Sequence, residues 1–208
     1  MARIIPPDFN APDQIGLYES ERQTLEYLAD ALPDSYTVFS NVLWARAHSH
    51  NTQFGEIDFV VLSPAGHLIV IEQKSGGMTV RNGEIYKHYG TVEKNAGDQL
   101  LRSIAAMKGV WQKQHQGETV AIDYLLYLPD YQLRNLSGLQ LDAERIVHAG
   151  SQRSLAQTIE HICGDAPEDK EKVSELHNFL TGLLELELDI GQLQTHQNRL
   201  YRRYEDSL

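Results

Sequence analysis

Two apolar segments of strand length, joined by a turn, constrain this chain more than any other stretch. The first runs from Gly55 to Leu62 and the second from His67 to Gly76, with Ser-Pro-Ala-Gly between them. Both are rich in β-branched residues, and proline and glycine are typical of a turn. The pattern therefore predicts an antiparallel hairpin. Because both faces of the second segment are mostly apolar, we expect it to be a central strand of a sheet.

The pairing of the two strands would bring acidic side chains together. If the hairpin is symmetric about Ala65, Leu62 faces Leu68 and Asp58 faces Glu72. Carboxylates that lie directly opposite each other destabilise a sheet unless a cation neutralises them. A divalent ion such as Mg²⁺ prefers oxygen ligands and would do so. The sequence therefore indicates a metal site at the open end of the hairpin.

A lysine lies beside this predicted site. Side chains alternate along a strand, so Glu72 and Lys74 share one face. Lys74 would then be near enough to act on a water bound to the metal. The alternative is an ordinary hairpin in which Lys74 pairs with Glu72 or with Glu56.

Asp58 followed by Glu72-Gln73-Lys74 resembles the signature of the PD-(D/E)XK nuclease superfamily, an acid on one strand and Glu-X-Lys on the next. Within it, Gly55-Glu56-Ile57-Asp58 with Gly66 and the stretch from Val70 to Gly76 resembles the nuclease-related domain family, abbreviated NERD. The resemblance covers roughly residues 14 to 130. It implies an α/β fold with a restriction-endonuclease-like core, in which helices flank a mixed central β-sheet.

The resemblance also implies roles for individual residues. Asp58, Glu72 and the carbonyl group of Gln73 would hold Mg²⁺ or Mn²⁺. Glu21 would bind a second metal ion or a metal-bound water. Lys74 would position or activate the attacking water and offset the charge of the transition state. The implied activity is hydrolysis of phosphodiester bonds.

Glu21 is singled out by its place in a predicted helix. The helix runs from about Gln14 to Leu32, with Leu25, Leu28 and Leu32 on one apolar stripe that Glu21 continues. An acid on the buried side of a helix needs a partner, whereas Glu19 falls off the stripe and is expected to be solvated. The alternative is that Glu21 pairs with a nearby arginine or lysine.

Two further matches to the family are partial. Ser20-Glu21-Arg22 corresponds to the Gly-Glu-Arg that opens the family's first helix, with serine in place of glycine. Asn95 and Gln99, in a helix predicted from about Thr91 to Gln116, correspond to an Asn-Pro and a Gln, with Ala96 in place of the proline. Gln99 would orient a water or donate to a phosphate, unless it is only a polar residue on the flank of the helix.

Charge and aromatic residues bear on the substrate. A formal net charge of −11 argues against a protein that coats nucleic acid by bulk attraction. Lysine and arginine nevertheless recur between Lys74 and Lys113, so a local basic surface near the hairpin is expected to bind phosphates. A second hairpin is predicted around Asn82-Gly83. Its Tyr86 and Tyr89 either stack on bases or pack across the strands.

Other segments complete the predicted domain organisation. Tyr36 to Val42 and Val120 to Leu128 read as strands, and Trp44 to Phe54 as a loop. We expect a nuclease-like domain over residues 1–150 and a helical C-terminal extension over residues 151–208. In the extension, Ser151 and Ser154 offer caps to a helix that ends near Cys163, and two amphipathic helices follow with these stripes: Leu176, Leu180 and Leu183; Leu193, Leu200 and Tyr204.

Composition indicates where the protein acts. The lone Cys163 cannot form an internal disulfide, the N-terminus lacks the features of a signal peptide, and no apolar run is long enough to span a membrane. We therefore expect a cytoplasmic protein without membrane contact.

The predicted function is that of a metal-dependent nuclease in DNA processing or repair, with DNA as the substrate and RNA as the second choice. The alternative is a non-catalytic module that keeps the fold and docks on nucleic acid or on a helicase, because domains of this family often precede a helicase. The chain itself has no phosphate-binding loop of an ATP motor. A homodimer formed through the tail helices is a further, weaker expectation.

Overall fold

The computed structural model describes residues 1–7, 19–48 and 51–184, without the side chains of residues 45–54. The chain combines helices and strands, with six consecutive strands between the first two helices. Residues 170–184 are helical and are called α4. The other elements, in chain order, are β1 (Arg3–Ile5), α1 (Glu19–Ala31), β2 (Thr37–His48), β3 (Asn51–Leu62), β4 (Leu68–Gln73), β5 (Met78–Arg81), β6 (Glu84–Tyr89), β7 (Val92–Asn95), α2 (Ala96–Gln114), β8 (Ile122–Leu128), β9 (Ile146–His148) and α3 (Leu155–Cys163).

The main sheet is mixed and has six strands in the order β1-β2-β3-β4-β8-β9. The β2–β3 and β3–β4 pairs are antiparallel, whereas β1–β2, β4–β8 and β8–β9 are parallel. Strand β4 lies between β3 and β8, and all six of its residues are buried. The predicted mixed sheet with a central hairpin strand is therefore confirmed.

Helices cover both faces of this sheet. Leu68 and Val70 belong to the apolar cluster that contains the buried side chains of α2 and α4. Ile69 and Ile71 belong to the cluster that contains those of α1 and α3. Alternation along β4 thus separates the two layers. It also places Glu72, two residues after Val70, on the α2 side.

The predicted loop from Trp44 to Phe54 is wrong. Strand β2 continues to His48 and β3 begins at Asn51, so the two strands form a long hairpin in which Trp44 lies opposite Gly55. A Cβ atom at residue 55 would lie 2.3 Å from the Trp44 ring, which explains the glycine. These residues are extended because their backbones pair with each other, which their polar side chains do not indicate.

The start predicted for the second helix is also wrong. The helix begins at Ala96, and the residues before it form β7. Asn95 ends the strand and caps the helix, because its Oδ1 accepts a hydrogen bond of 3.2 Å from the backbone N–H of Asp98. The first helix agrees with its prediction over Glu19–Ala31, and the predicted residues 14–18 lie outside the described part.

The described part of the C-terminal extension packs onto the main sheet. Ser154 caps α3 through a capping box with Gln157, as the serine there predicts. The predicted stripe of α4 is buried in the cluster that covers α2: Leu176, Leu180 and Leu183. The division at residue 150 stays a prediction, and the stripe Leu193, Leu200 and Tyr204 lies outside the described residues.

Strands β5, β6 and β7 form a separate small sheet. Its first turn is the predicted Asn82-Gly83, and both residues have positive φ, 52° and 80°. The Gly83 carbonyl accepts a hydrogen bond of 2.8 Å from the backbone N–H of Gln140. A Cβ atom at residue 83 would lie 2.2 Å from the carbonyl oxygen of Gly138. This turn is therefore fixed against the loop that follows β8.

Candidate active site

The predicted register of the central hairpin is confirmed. Leu62 pairs with Leu68, and the backbone ladder continues to the pair of Phe59 and Ile71. Beyond that pair, Asp58 Oδ2 accepts a hydrogen bond of 2.7 Å from the backbone N–H of Gln73. A carboxylate thus takes the place of a backbone acceptor at the open end of the hairpin. This contact fixes Asp58 against the end of β4.

Glu72 and Lys74 form a buried pair on the α2 side of the sheet. Glu72 is 0% exposed and Lys74 is 7% exposed. The ammonium group of Lys74 donates to Glu72 Oε1. Glu72 Oε2 is buried and accepts no hydrogen bond in the described part of the chain. Leaving such an acceptor unpaired costs about 1–3 kcal/mol, and more for a charged group.

Burial changes the protonation of these groups. Burial raises the pKa of Glu72 to about 8, with a further rise from the charge of Asp58 and an opposing effect from Lys74. Burial also raises the pKa of Asp58, against the effects of Lys74 and of the Gln73 N–H. Burial lowers the pKa of Lys74, but Glu72 and Asp58 outweigh it, so that pKa is raised. The lysine therefore stays charged, and the acids around it retain protons above their usual range.

The cluster opens to solvent on the side of β3. Asp58 is partly exposed, and Glu56, two residues earlier on the same face, lies at the surface. Partial burial and the charge of Asp58 raise the pKa of Glu56. The acidic side chains thus extend from the buried Glu72 to the surface at Glu56.

The residues at this site fit a divalent cation. Mg²⁺ is usually held by one or two carboxylates, with waters and substrate phosphates as the other ligands. Asp58 and Glu72 supply two carboxylates. Glu72 Oε2, which has no hydrogen-bond partner among the described residues, can accept a cation. Among the described residues, no group of three or more histidine, cysteine, aspartate and glutamate side chains could hold a metal ion.

The helix phase predicted for α1 is correct. Leu25 and Leu28 are fully buried, and Glu21 is half-buried one turn before Leu25. Glu19 is exposed and forms an ion pair with Arg22 at 2.6 Å. The helix packs on the Ile69 and Ile71 face, however, which is opposite to the side chain of Glu72. A role for Glu21 in the cluster stays a prediction.

Gln99 lies in the first turn of α2, on the same side of the sheet as Glu72. Its side chain is half-buried. Asn95, one turn earlier, serves as the cap of the helix. The catalytic role predicted for Gln99 stays a prediction, because no described hydrogen bond links it to the cluster.

One part of the site was not predicted. Lys87 Nζ donates to the carbonyl oxygen of Ser75, the residue after Lys74. Tyr89 lies within electrostatic reach of Lys74. The small sheet therefore borders the cluster. The alternation of Ile85, Lys87 and Tyr89 after the Asn82-Gly83 turn indicates that these side chains share one face of a strand. The third strand of this sheet was missed because the helix was predicted to begin at Thr91.

A mixed sheet whose central hairpin ends in two acids and a lysine defines the class of α/β proteins with a nuclease-like core. The chain belongs to the nuclease-related domain family, whose family model matches residues 17–129. The match covers α1 through β8 and every predicted site residue. A search of curated proteins and a search of solved structures found no match. No helix among the described residues is long and apolar enough to cross a membrane.

Proposed function

We propose that this protein is a metal-dependent nuclease that hydrolyses phosphodiester bonds in DNA or RNA. The observation that carries the proposal is the carboxylate of Glu72, which is fully buried with Oε2 unpaired and lies beside Asp58 and Lys74. Burying a charge without full pairing costs stability, and such groups concentrate at functional sites. The family match supports the same reading.

Asp58, Glu72 and the carbonyl group of Gln73 would hold Mg²⁺ or Mn²⁺, which would supply positive charge to the oxygens of a phosphodiester. Asp58 is already oriented by the Gln73 N–H at 2.7 Å. Lys74 is held against Glu72, where its ammonium group can donate to an attacking water or to a phosphate oxygen. Lysine cannot ligate a cation, so its role is distinct from that of the acids.

The direct test is a cleavage assay on end-labelled single-stranded, duplex and nicked DNA and on RNA, with Mg²⁺, Mn²⁺ or a chelator. Cleavage should require metal. Lys74→Ala should lower the rate on the order of a hundredfold, because one preorganised charge is lost at the transition state. Lys108→Ala removes an exposed lysine of α2 and should cut like wild type. Absence of cleavage by wild type with either metal would contradict the proposal.

A second test concerns Glu21. If it holds a second metal or a water, Glu21→Gln should slow cleavage at least tenfold, since a carboxylate is a better ligand than an amide. Glu19→Gln is the matched control, because Glu19 is exposed and pairs with Arg22. Equal rates for the two variants would leave Glu21 with a structural role only.

The alternative is a non-catalytic module that docks on nucleic acid or on a helicase. It is favoured by the ion pair of Lys74 with Glu72, which partly neutralises the cluster without any metal. A module would bind nucleic acid equally well in chelator and in Mn²⁺ and would cut it in neither. The cleavage assay therefore separates the two functions.

A further inference from the structure

The two faces of the small sheet differ in how their charges are paired. On one face, Arg81 pairs with Glu93 and lies 4.6 Å from the centre of the Tyr86 ring. His88 contacts Glu93 at 3.2 Å, and Tyr86 donates to Glu84. Charges of both signs therefore satisfy one another there.

On the opposite face, the residues near the core are apolar and those farther from it include two lysines. Met78 and Ile85 are buried against α2. Farther along, Lys87 pairs across the strands with Lys94, and Tyr89 pairs with Val92. We call these last four residues, Lys87, Tyr89, Val92 and Lys94, the lysine–tyrosine face.

Two lysines directly opposite each other destabilise a sheet, by the same rule that applies to opposed acids. No carboxylate among the described residues forms an ion pair with either of them, although the chain carries a net charge of −11. Both ammonium groups lie over the Tyr89 ring, at 5.8 Å for Lys87 and 5.4 Å for Lys94. We therefore expect the two ammonium groups to bind an anionic group of a ligand.

Apolar surface accompanies this charge. Tyr89 is 46% exposed and Val92 is 54% exposed, so an aromatic ring with open surface stands between two cations. Proteins that bind single-stranded nucleic acid combine phosphate-binding cations with aromatic rings on which bases stack. A single-stranded nucleic acid offers both groups at once, because each nucleotide carries a phosphate for the lysines and a base for the ring.

The face borders the proposed catalytic cluster. Lys87 is bonded to the carbonyl oxygen of Ser75, the residue next to Lys74. A nucleic-acid strand bound to Tyr89 and Lys94 would therefore pass close to Lys74.

From this arrangement we propose that the lysine–tyrosine face binds single-stranded nucleic acid and leads it to the cluster of Asp58, Glu72 and Lys74. Lys94 and Lys87 contact phosphates and Tyr89 stacks on a base. The binding step stands on the face alone, whereas delivery to the cluster rests on the proposed nuclease function.

The experiment measures binding of a fluorescent oligothymidylate of about 20 nucleotides, by anisotropy in chelator over a range of salt concentrations. Lys94→Ala should weaken binding severalfold and lower the slope of log affinity against log salt by about 0.7. Lys94 is preferred to Lys87, which also holds Ser75. The control is Lys108→Ala, an exposed lysine elsewhere, which should leave affinity and slope unchanged.

Tyr89→Ala should weaken binding on the order of tenfold without changing the salt slope, because it removes stacking and not charge. Tyr89→Phe keeps the ring and should bind like wild type. Tyr86→Ala removes a ring from the opposite face and is the matched control. Melting temperatures of all variants verify folding. Oligouridylate should bind comparably, and a duplex of the same length more weakly, because its bases are not free to stack.

The proposal is overturned if wild type does not bind the oligonucleotide, or if Lys94→Ala and Tyr89→Ala bind like their controls. It is also overturned if a duplex binds as tightly as the single strand. If wild type cuts nucleic acid while Lys94→Ala and Tyr89→Ala bind it normally, the binding role of the face is wrong and the nuclease function is unaffected. Wild type that binds through the face but never cuts would preserve the binding surface and remove the nuclease function.

Discussion

Charged side chains lie at both ends of the β3–β4 hairpin. Near the turn, Asp123 on β8 accepts a hydrogen bond of 3.1 Å from Arg145 Nη2, and Arg145 Nε lies 2.8 Å from its other carboxylate oxygen. His67 Nε2 lies 3.6 Å from the same carboxylate. At the open end, Asp58 and Glu72 share the single cation of Lys74. The acid of the first group has its own cation in Arg145, and His67 beside it is kept neutral because burial lowers its pKa, whereas the second group has two acids for one lysine.

This contrast distinguishes an ion pair whose partners are complete from the cluster to which we assign catalysis. The Arg145–Asp123 pair is bidentate and about a quarter exposed, so it needs nothing further. The open-end cluster is more buried and leaves Glu72 Oε2 unpaired. A buried group that is short of positive charge is costly to fold and gains most when a cation arrives.

The largest expected difference between the two ends is in catalysis. Asp58→Asn should lower the rate of DNA cleavage by a factor of about 100 to 1,000, since a charged group at the reacting centre is lost. Asp123→Asn removes the same charge at the other end and should change the rate less than threefold. The rates are measured on one labelled substrate with Mn²⁺ in excess. A similar loss in both variants would erase the distinction drawn between the ends.

The next largest difference is in metal-dependent stability. Manganese at about 100 times its dissociation constant should stabilise wild type by roughly 3 kcal/mol, which raises the melting temperature by several degrees. Asp123→Asn should keep this shift, and Asp58→Ala should lose it. The measurement is a thermal melt with Mn²⁺ or chelator at fixed ionic strength. A shift that survives in Asp58→Ala would place the ion elsewhere.

The smallest effect concerns pH. Burial raises the pKa of Glu72 to about 8 from an ordinary 4.5, so the folded protein holds a proton that the unfolded chain has released between these values. Stability in chelator should therefore fall as pH rises through this window. Glu72→Gln cannot ionise, and its stability relative to wild type should improve by on the order of 1–2 kcal/mol from pH 5 to pH 8.

Urea unfolding at several pH values in chelator gives this difference directly. Asp123→Asn serves as the opposite case, because it breaks the bidentate pair with Arg145 and should lower stability at pH 5 and pH 8 alike. A Glu72→Gln curve that runs parallel to wild type would mean that Glu72 is ionised throughout the window.

The central hairpin was predictable because three independent signals agree there. Apolar segments of strand length, β-branched residues and the Pro64 turn predict a register about Ala65, and this register brings Asp58 next to the end of β4. The pairing also explains why Lys74 reaches Glu72. Sequence reasoning therefore predicted the pairing that brings Asp58, Glu72 and Lys74 together.

Other features depend on contacts that a sequence does not display. The parallel pairing of β4 with β8 joins segments about 50 residues apart, and no local pattern encodes it. The strand character of residues 44–48 comes from the partner strand, because Arg46 and His48 are polar and suggest a loop. The face of the sheet on which α1 packs likewise depends on tertiary contacts, and the α1 stripe alone does not say on which side of the sheet Glu21 lies.

The Asn82-Gly83 turn positions the small sheet that carries the proposed nucleic-acid face. It is bonded to Gln140 and leaves no room for a Cβ atom beside Gly138, while the far end of the same sheet touches Ser75 through Lys87. Because the small sheet is attached at both places, we expect the distance between Tyr89 and Lys74 to stay constant while a substrate is bound. The cuts should then fall at a constant number of nucleotides from the base that stacks on Tyr89. Gly83, which allows the close contact with Gly138, would help to set that number.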